Sequence, residues 1–206
     1  MLGEAIPTAM PARLIVAVDA FAFADPEVVE ALQPMVGRLR ALVANAREEV
    51  MAPAGLTQWA RAQRTLQPVE AWATFKDWIE CHNPRLAFSV ARNLLLGSMI
   101  SQAECQWAGL VRQEACGRMR YLLPPGTILC MPTTPFPAPK RGEPLSIAGR
   151  QRDRLLCLCC HGGLTGVPQV SIPGAAIGGL PIGLSVVGSP GSDAMLVGVA
   201  AALRDG

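Results

Sequence analysis

The residues in this chain with the strongest chemistry stand in a few short runs. Cys157-x-Cys159-Cys160-His161 sets a thiol and an imidazole four apart, on one face of a helix if the segment is helical. A tetrahedral zinc site needs four ligands, usually from two separated pairs, and the one other histidine is His82. We expect a helix packed through small thiols there, with no metal. Cys81-His82 joins a nucleophile and a base by type, but adjacent side chains rarely converge and no third group is placed to orient the imidazole. Gly183-Leu184-Ser185-Val186-Val187 fails the last position of a serine-hydrolase elbow, and neither Lys76 nor Lys140 follows a phosphate-binding glycine loop. Thr133-Thr134-Pro135 is a better candidate, because it follows the apolar run TILCM directly. Residues leaving the C-terminal end of a strand in an α/β sheet commonly line the ligand crevice. The plain alternative is a polar turn stiffened by prolines.

The elements that would position these residues alternate in type. RLIVAVD, Arg13 to Asp19, is short, β-branched and almost continuously apolar, as a strand covered on both faces is. Asp25-Pro26 reads as a helix start, and Val28, Val29, Leu32, Val36, Leu39 and Val43 keep helical spacing, with Pro34 expected to kink or split the helix. From Leu56 to Leu123 the periodicity stays helical, with breaks expected at Pro68 and Asn83-Pro84. Thr127 to Met131 is a second strand, leading into the proline-rich loop PTTPFPAPKRGEP. A helix over Arg150 to His161 follows, then strands QVSIP and GLPIGLSVVG joined by a tight return, then a last helix, Ala194 to Leu203. One α/β unit spanning residues 1–206 is the reading.

Composition narrows the classes. Half of the 206 residues are hydrophobic, which excludes a disordered chain, and a net charge of +2 with dispersed Lys and Arg gives no nucleic-acid footprint. The richest apolar stretch, Leu155 to Val170, is broken by His161, three glycines and Pro168, short of the roughly 18 residues a bilayer span requires. Met1-Leu2-Gly3-Glu4 has no basic region ahead of an apolar segment, so neither a membrane anchor nor a signal peptide is expected. Seven cysteines, an odd number with several in apolar surroundings, fit free thiols in a reducing cytoplasm.

Taken together, TILCMPTTPFPAP, the helix containing Arg152-x-Arg154, GLTGVPQVSIPG and GLPIGLSVVGSPGSDAMLVGVAAAL resemble, in order and spacing, the C-terminal segment of amidase-signature enzymes. Gln169 to Pro173 and the small Gly163 are similar to the plant-type indole-acetamide amidases and their bacterial relatives; the tRNA-dependent amidotransferases usually carry an asparagine near Gly163. RLIVAVDAFAFADPEVVEAL, Glu70 to Trp72, Asp77 to Ile79, Asn83-Pro84 and Arg92 look like the same subgroup. The resemblance implies part of a mixed-sheet amidase-signature fold with flanking helices, lacking the N-terminal catalytic core. It implies amide hydrolysis to acid and ammonia without a cofactor, by a serine nucleophile in a Gly/Ser-rich loop, a bridging serine and a lysine base. No Ser-Ser pair, no such loop and no lysine in a fitting context occurs here, so no catalytic residue carries over. Met1 to Pro7 resembles the point just after the family's catalytic core.

Three readings follow. The chain is the substrate-pocket half of an amidase, with Thr133, Thr134, Pro135, Gly162 and Gly163 facing a common crevice for a small-molecule amide. Its partner is then an N-terminal amidase half, or, failing that, another copy of itself through exposed strand edges. A second reading is a catalytically inactive binding or scaffold remnant. The third, a cysteine hydrolase using Cys81 or the Cys157 cluster, lacks an oriented base.

Overall fold

The computed structural model describes residues 10–204, so the Met1 to Pro7 boundary lies outside the described residues. β1 (Arg13–Ala17) ends where α1 (Val18–Phe23) begins, and α2 (Pro26–Ala41), β2 (Asn45–Glu49), α3 (Leu56–His82), α4 (Phe88–Met99) and α5 (Gln102–Leu122) follow. β3 (Thr127–Pro132), α6 (Leu145–Thr165), β4 (Gln169–Ile177), β5 (Leu180–Gly188) and α7 (Asp193–Arg204) complete the described order. The five strands form one mixed sheet in the order β2-β1-β3-β5-β4. β1 runs parallel to β2 and β3, whereas β5 is antiparallel to β3 and β4.

Strand alternation divides the core into two layers. Ile15, Ala17, Leu129, Met131 and Val187 pack under α3, α5 and α6, with Trp59, Met119 and Leu158. Leu14, Val16, Ile128, Cys130, Leu184 and Val186 face α2 and α7, with Leu32, Leu39 and Val199. β3 is buried along its whole length, as TILCM requires. β4 lies at the sheet edge and is mostly exposed. Five large apolar side chains lie exposed on the arm made by the end of α3 and by α4, Phe75, Trp78, Phe88, Leu95 and Met99, with Phe88 83% exposed; Leu110 and Tyr121 are exposed on α5.

Several elements differ from the sequence expectations. α2 runs unbroken through Pro34, and α3 runs unbroken through Pro68 to a left-handed Asn83. Packing holds both helices across the missing backbone donor. Val28, Leu32, Met35, Val36 and Leu39 anchor α2 on the sheet, while the Pro68 carbonyl is covered by α4 at Gly97. A Cβ at Gly97 would lie 2.1 Å from the Pro68 oxygen. We expect Gly97→Val to force α4 away and cost about 1–3 kcal/mol, read as a lower urea midpoint with an unchanged slope; an unchanged midpoint would refute the contact. The break between α4 and α5 is fixed by a capping box in which the Ser101 hydroxyl and the Glu104 carboxylate each take the other's backbone N–H. α6 is longer at both ends than Arg150 to His161. β2, NAREE, has no apolar pattern at all; it is an exposed charged edge, with Glu48 paired to Arg40 at 2.8 Å and Glu49 to Arg118 at 3.3 Å.

Candidate functional site

β4 and β5 place their small polar residues on the sheet face that α6 covers. Ser171 stands opposite Ser185 and Gln169 opposite Val187, while the Thr133 backbone N–H is held by the Gly183 carbonyl at 2.9 Å just beyond β3. Thr133 Oγ1 lies 2.8 Å from Ser171 Oγ and 2.9 Å from Ser185 Oγ, and Gln169 Nε2 donates to Ser185 Oγ at 2.7 Å. Four polar side chains from three strand segments thus form one cluster. Glycine at 183 makes room for it, since a Cβ there would lie 2.7 Å from Ser171 Oγ and 2.9 Å from Thr133 Oγ1.

The loop after β3 is tied from outside. Thr134 Oγ1 donates to the Phe136 carbonyl at 3.0 Å, closing the turn, and the Pro135 carbonyl accepts the Asp25 N–H at 2.8 Å. Arg154 from α6 donates to Asp25 Oδ1 at 2.7 Å and to the Phe23 carbonyl at 3.3 Å. Its guanidinium also covers the rings of Phe136 and Phe23, at 5.2 and 5.8 Å.

Of the residues the sequence pointed to, Thr133 contributes its side chain to the cluster. Thr134 turns to its own loop and Pro135 is buried beneath the Asp25 corner. On α6 the Cys159 thiol lies 3.7 Å from the Thr133 carbonyl, and Gly163, four residues on, occupies the same helical face. A Cβ at Gly163 would lie 2.7 Å from Gln63 Nε2 of α3, while the Gly162 carbonyl closes the helix by accepting from the Gly166 N–H. Sequence reasoning missed Ser171, Ser185, Gln169, Gly183 and Gln63. A signal was present for the first three: they are the polar residues at alternate positions of otherwise apolar strands.

The thiol and imidazole runs do no comparable work. Cys157 and Cys160, three apart on α6, are buried, and their sulfurs approach the Asp153 and Cys157 carbonyls at 3.3 and 3.8 Å. Burial pushes the Cys160 thiol up to about 12, which makes it a poor nucleophile. His82 Nδ1 faces the Trp78 carbonyl at 3.0 Å, away from any role with Cys81. Among the described residues no three His, Cys, Asp or Glu side chains group in a way that could hold a metal ion. A separate cleft of about 370 Å³ opens between α3 and α6, lined by Arg61, Arg64, Asp153 and Cys157, and the Arg64–Asp153 pair spans it at 2.7 Å.

His161 lies fully buried on α6, and neither ring nitrogen has a partner in hydrogen-bond geometry. Burial brings its pKa down to about 4, although the nearby Gln169 side chain and Leu158 backbone act weakly the other way. The native state therefore resists a proton that the unfolded chain accepts near the ordinary value of 6.5. Stability from this group is complete above about 6.5, falls as the pH drops toward 4, and levels off below it, a loss of roughly 3 kcal/mol. We expect His161→Leu to flatten that part of a stability–pH curve measured by urea unfolding; an unchanged slope would contradict it.

A mixed sheet covered on both faces by helices, carrying a hydroxyl cluster beside the loop that leaves β3, defines an α/β protein with its polar residues at a strand end. The family model described as Amidase matches residues 14–197, and the chain belongs to the amidase family. Amidase 1 of Oryza sativa subsp. japonica is 30% identical over 155 residues, covering 73% of this chain and 35% of its own length. Amidase 1 of Arabidopsis thaliana is 26% identical over 136 residues, covering 66% of this chain and 32% of its own length. A crystal structure of an amidase superposes with a TM-score of 0.78 at 24% identity, over 98% of this chain and 48% of that one, and shares the fold. The chain thus spans about a third of these curated relatives and about half of the solved amidase. No described helix is long and apolar enough to cross a membrane.

Proposed function

We propose that residues 1–206 act as a single unit, the C-terminal, substrate-pocket portion of an amidase that hydrolyses a small-molecule carboxamide to acid and ammonia. The nucleophile, the base and the oxyanion donors then come from a segment outside these residues, on the same polypeptide or on a partner. One observation carries the reading: the family match takes in nearly the whole chain, yet reaches only 35% of the rice amidase and 48% of the solved one. The sequence supports it, because it holds no Ser-Ser pair and its two lysines, Lys76 and Lys140, stand in no glycine- or serine-rich loop.

In this reading Thr133, Thr134, Pro135, Gly162 and Gly163 belong to one wall of the substrate crevice. The contact of Cys159 with the Thr133 carbonyl supports that placement, as does the shared α6 face of Cys159 and Gly163. The seven free cysteines favour a reducing, cytoplasmic setting. Residues 1–206 alone should not hydrolyse phenylacetamide or other simple amides above background. Turnover that survives repurification and disappears on a single Ser→Ala change within these residues would overturn the proposal.

A further inference from the structure

α4 has a buried side and a bare one, set by the helical period. It packs on α3, and the residues it buries are Leu94 and Gly97, the latter against the Pro68 carbonyl. At about 100° per residue, Phe88, Leu95 and Met99 fall within roughly 40° of one another, on the side away from Gly97. They are 83%, 60% and 73% exposed, which makes a continuous apolar row and not a scatter of single surface residues. Arg92, at the edge of the row, is the one charged residue of the helix. The row points away from α3, and so away from the sheet and α6 that hold the candidate crevice.

The row is also its own complement. Phe88 and Met99 lie equally far from the middle of α4, and Leu95 lies beside the middle. Two copies of α4 laid antiparallel about a two-fold axis set Phe88 on Met99 of the second copy, a ring-to-sulfur contact, and bring Leu95 against its own mate. Arg92 covers the seam with its stem and keeps its head in water. A contact between identical faces requires this self-complementarity, whereas a covering segment of different sequence does not. The exposed area of the apolar side chains on α4 is on the order of 500 Å², so two copies together reach the roughly 1,000 Å² that a specific interface needs.

We propose that the outer face of α4 docks the same face of a second copy of this chain, as an antiparallel two-helix seam with Phe88 and Met99 at its ends. The seam leaves the β4 edge and the crevice open, and it stands whether or not the amidase reading does. A complete amidase assembly would then hold two of these chains with two missing segments, still one-to-one in composition.

Oxidative cross-linking tests the seam and its register together. In a Cys81→Ser/Cys159→Ser background, which removes the two exposed thiols, Phe88→Cys and Met99→Cys combined should give a covalent dimer on a non-reducing gel. Within one chain the two positions lie about 16 Å apart along the helix, too far to bridge, and at least that distance separates either position from its own mate. Each single variant should therefore stay monomeric on the gel. Adding Leu95→Glu, at an exposed position where the melt should hold, sets two carboxylates face to face and should lower the cross-linked fraction at least about tenfold. No covalent dimer from the double variant, equal dimer from the single variants, or cross-linking undiminished by Leu95→Glu overturns the inference. So does cross-linking lost on adding the missing amidase segment, which would make the row that segment's docking face and leave the amidase reading standing.

Discussion

Mixed or co-expressed with the part of a related amidase that it does not span, this chain should restore hydrolysis of a simple aryl-acetamide, while each piece alone stays at background. By its resemblance to amidase-signature enzymes, the partner segment carries the lysine, the bridging serine and the nucleophilic serine in their Gly/Ser-rich loop. In the proposed reading, this chain contributes the loop after β3 as one wall of the substrate crevice. Since neither piece holds both the reacting groups and the pocket, activity should switch on as a whole. Enzymes typically exceed the uncatalysed rate by about 10⁶-fold or more, so the gain should be unmistakable even for an imperfect pair. A soluble, associated pair that stays at background would favour a catalytically inactive binding remnant instead.

Trp59→Ala should cost more stability than Gly97→Val. Trp59 is fully buried among α3, α5 and α6, and its indole N–H donates to Glu114 Oε2 at 3.0 Å. Removing the ring leaves a large cavity between α3, α5 and α6, a cost of about 3–5 kcal/mol. Set against the roughly 5–15 kcal/mol of an ordinary domain, that is a large share. For a chain of this size it lowers the melting temperature by roughly 6–20 °C. Trp78→Ala is the matched control, because Trp78 is 47% exposed on the α3–α4 arm and its removal should move the melt of the isolated chain little. Equal shifts for the two variants would mean that the α3–α5–α6 layer does not carry the stability assigned to it.

The parts of the fold legible in the sequence were those with an unbroken local pattern. RLIVA and TILCM are apolar at nearly every position because both faces of β1 and β3 are covered, and that signature needs no tertiary knowledge. The β4–β5 hairpin and α7 were legible for similar reasons, since glycines close the return and Ser192 precedes an apolar helix that opens at Asp193. β2 was not legible. NAREE becomes a strand only because β1 offers it a parallel edge in register, Arg13 beside Asn45 through Ala17 beside Glu49. Pro34 and Pro68 misled for the converse reason: each breaks an isolated helix, and each is held here by packing from another element.

The site divides in the same way. Thr133 could be picked out because it leaves a buried strand, a local fact. Ser171, Ser185 and Gln169 join it only through the antiparallel register of β4 on β5 and of β5 on β3, which sequence alone does not fix to the residue. Gln63 reaches Gly163 from a helix about a hundred residues upstream, a contact no local pattern announces.

If this chain is part of a larger amidase fold, its exposed β4 edge and the uncovered Phe75, Trp78, Phe88, Leu95 and Met99 should be sticky surfaces in isolation. Light scattering of the purified chain, with a hydrophobic dye present, reads that stickiness. Alone, the chain should self-associate and bind dye; with the missing amidase segment added, it should become a single one-to-one particle and lose most of the dye signal. A monodisperse monomer without the partner, binding no dye and melting cooperatively above about 60 °C, would instead mark the chain as a complete domain and end the reading of it as an amidase portion.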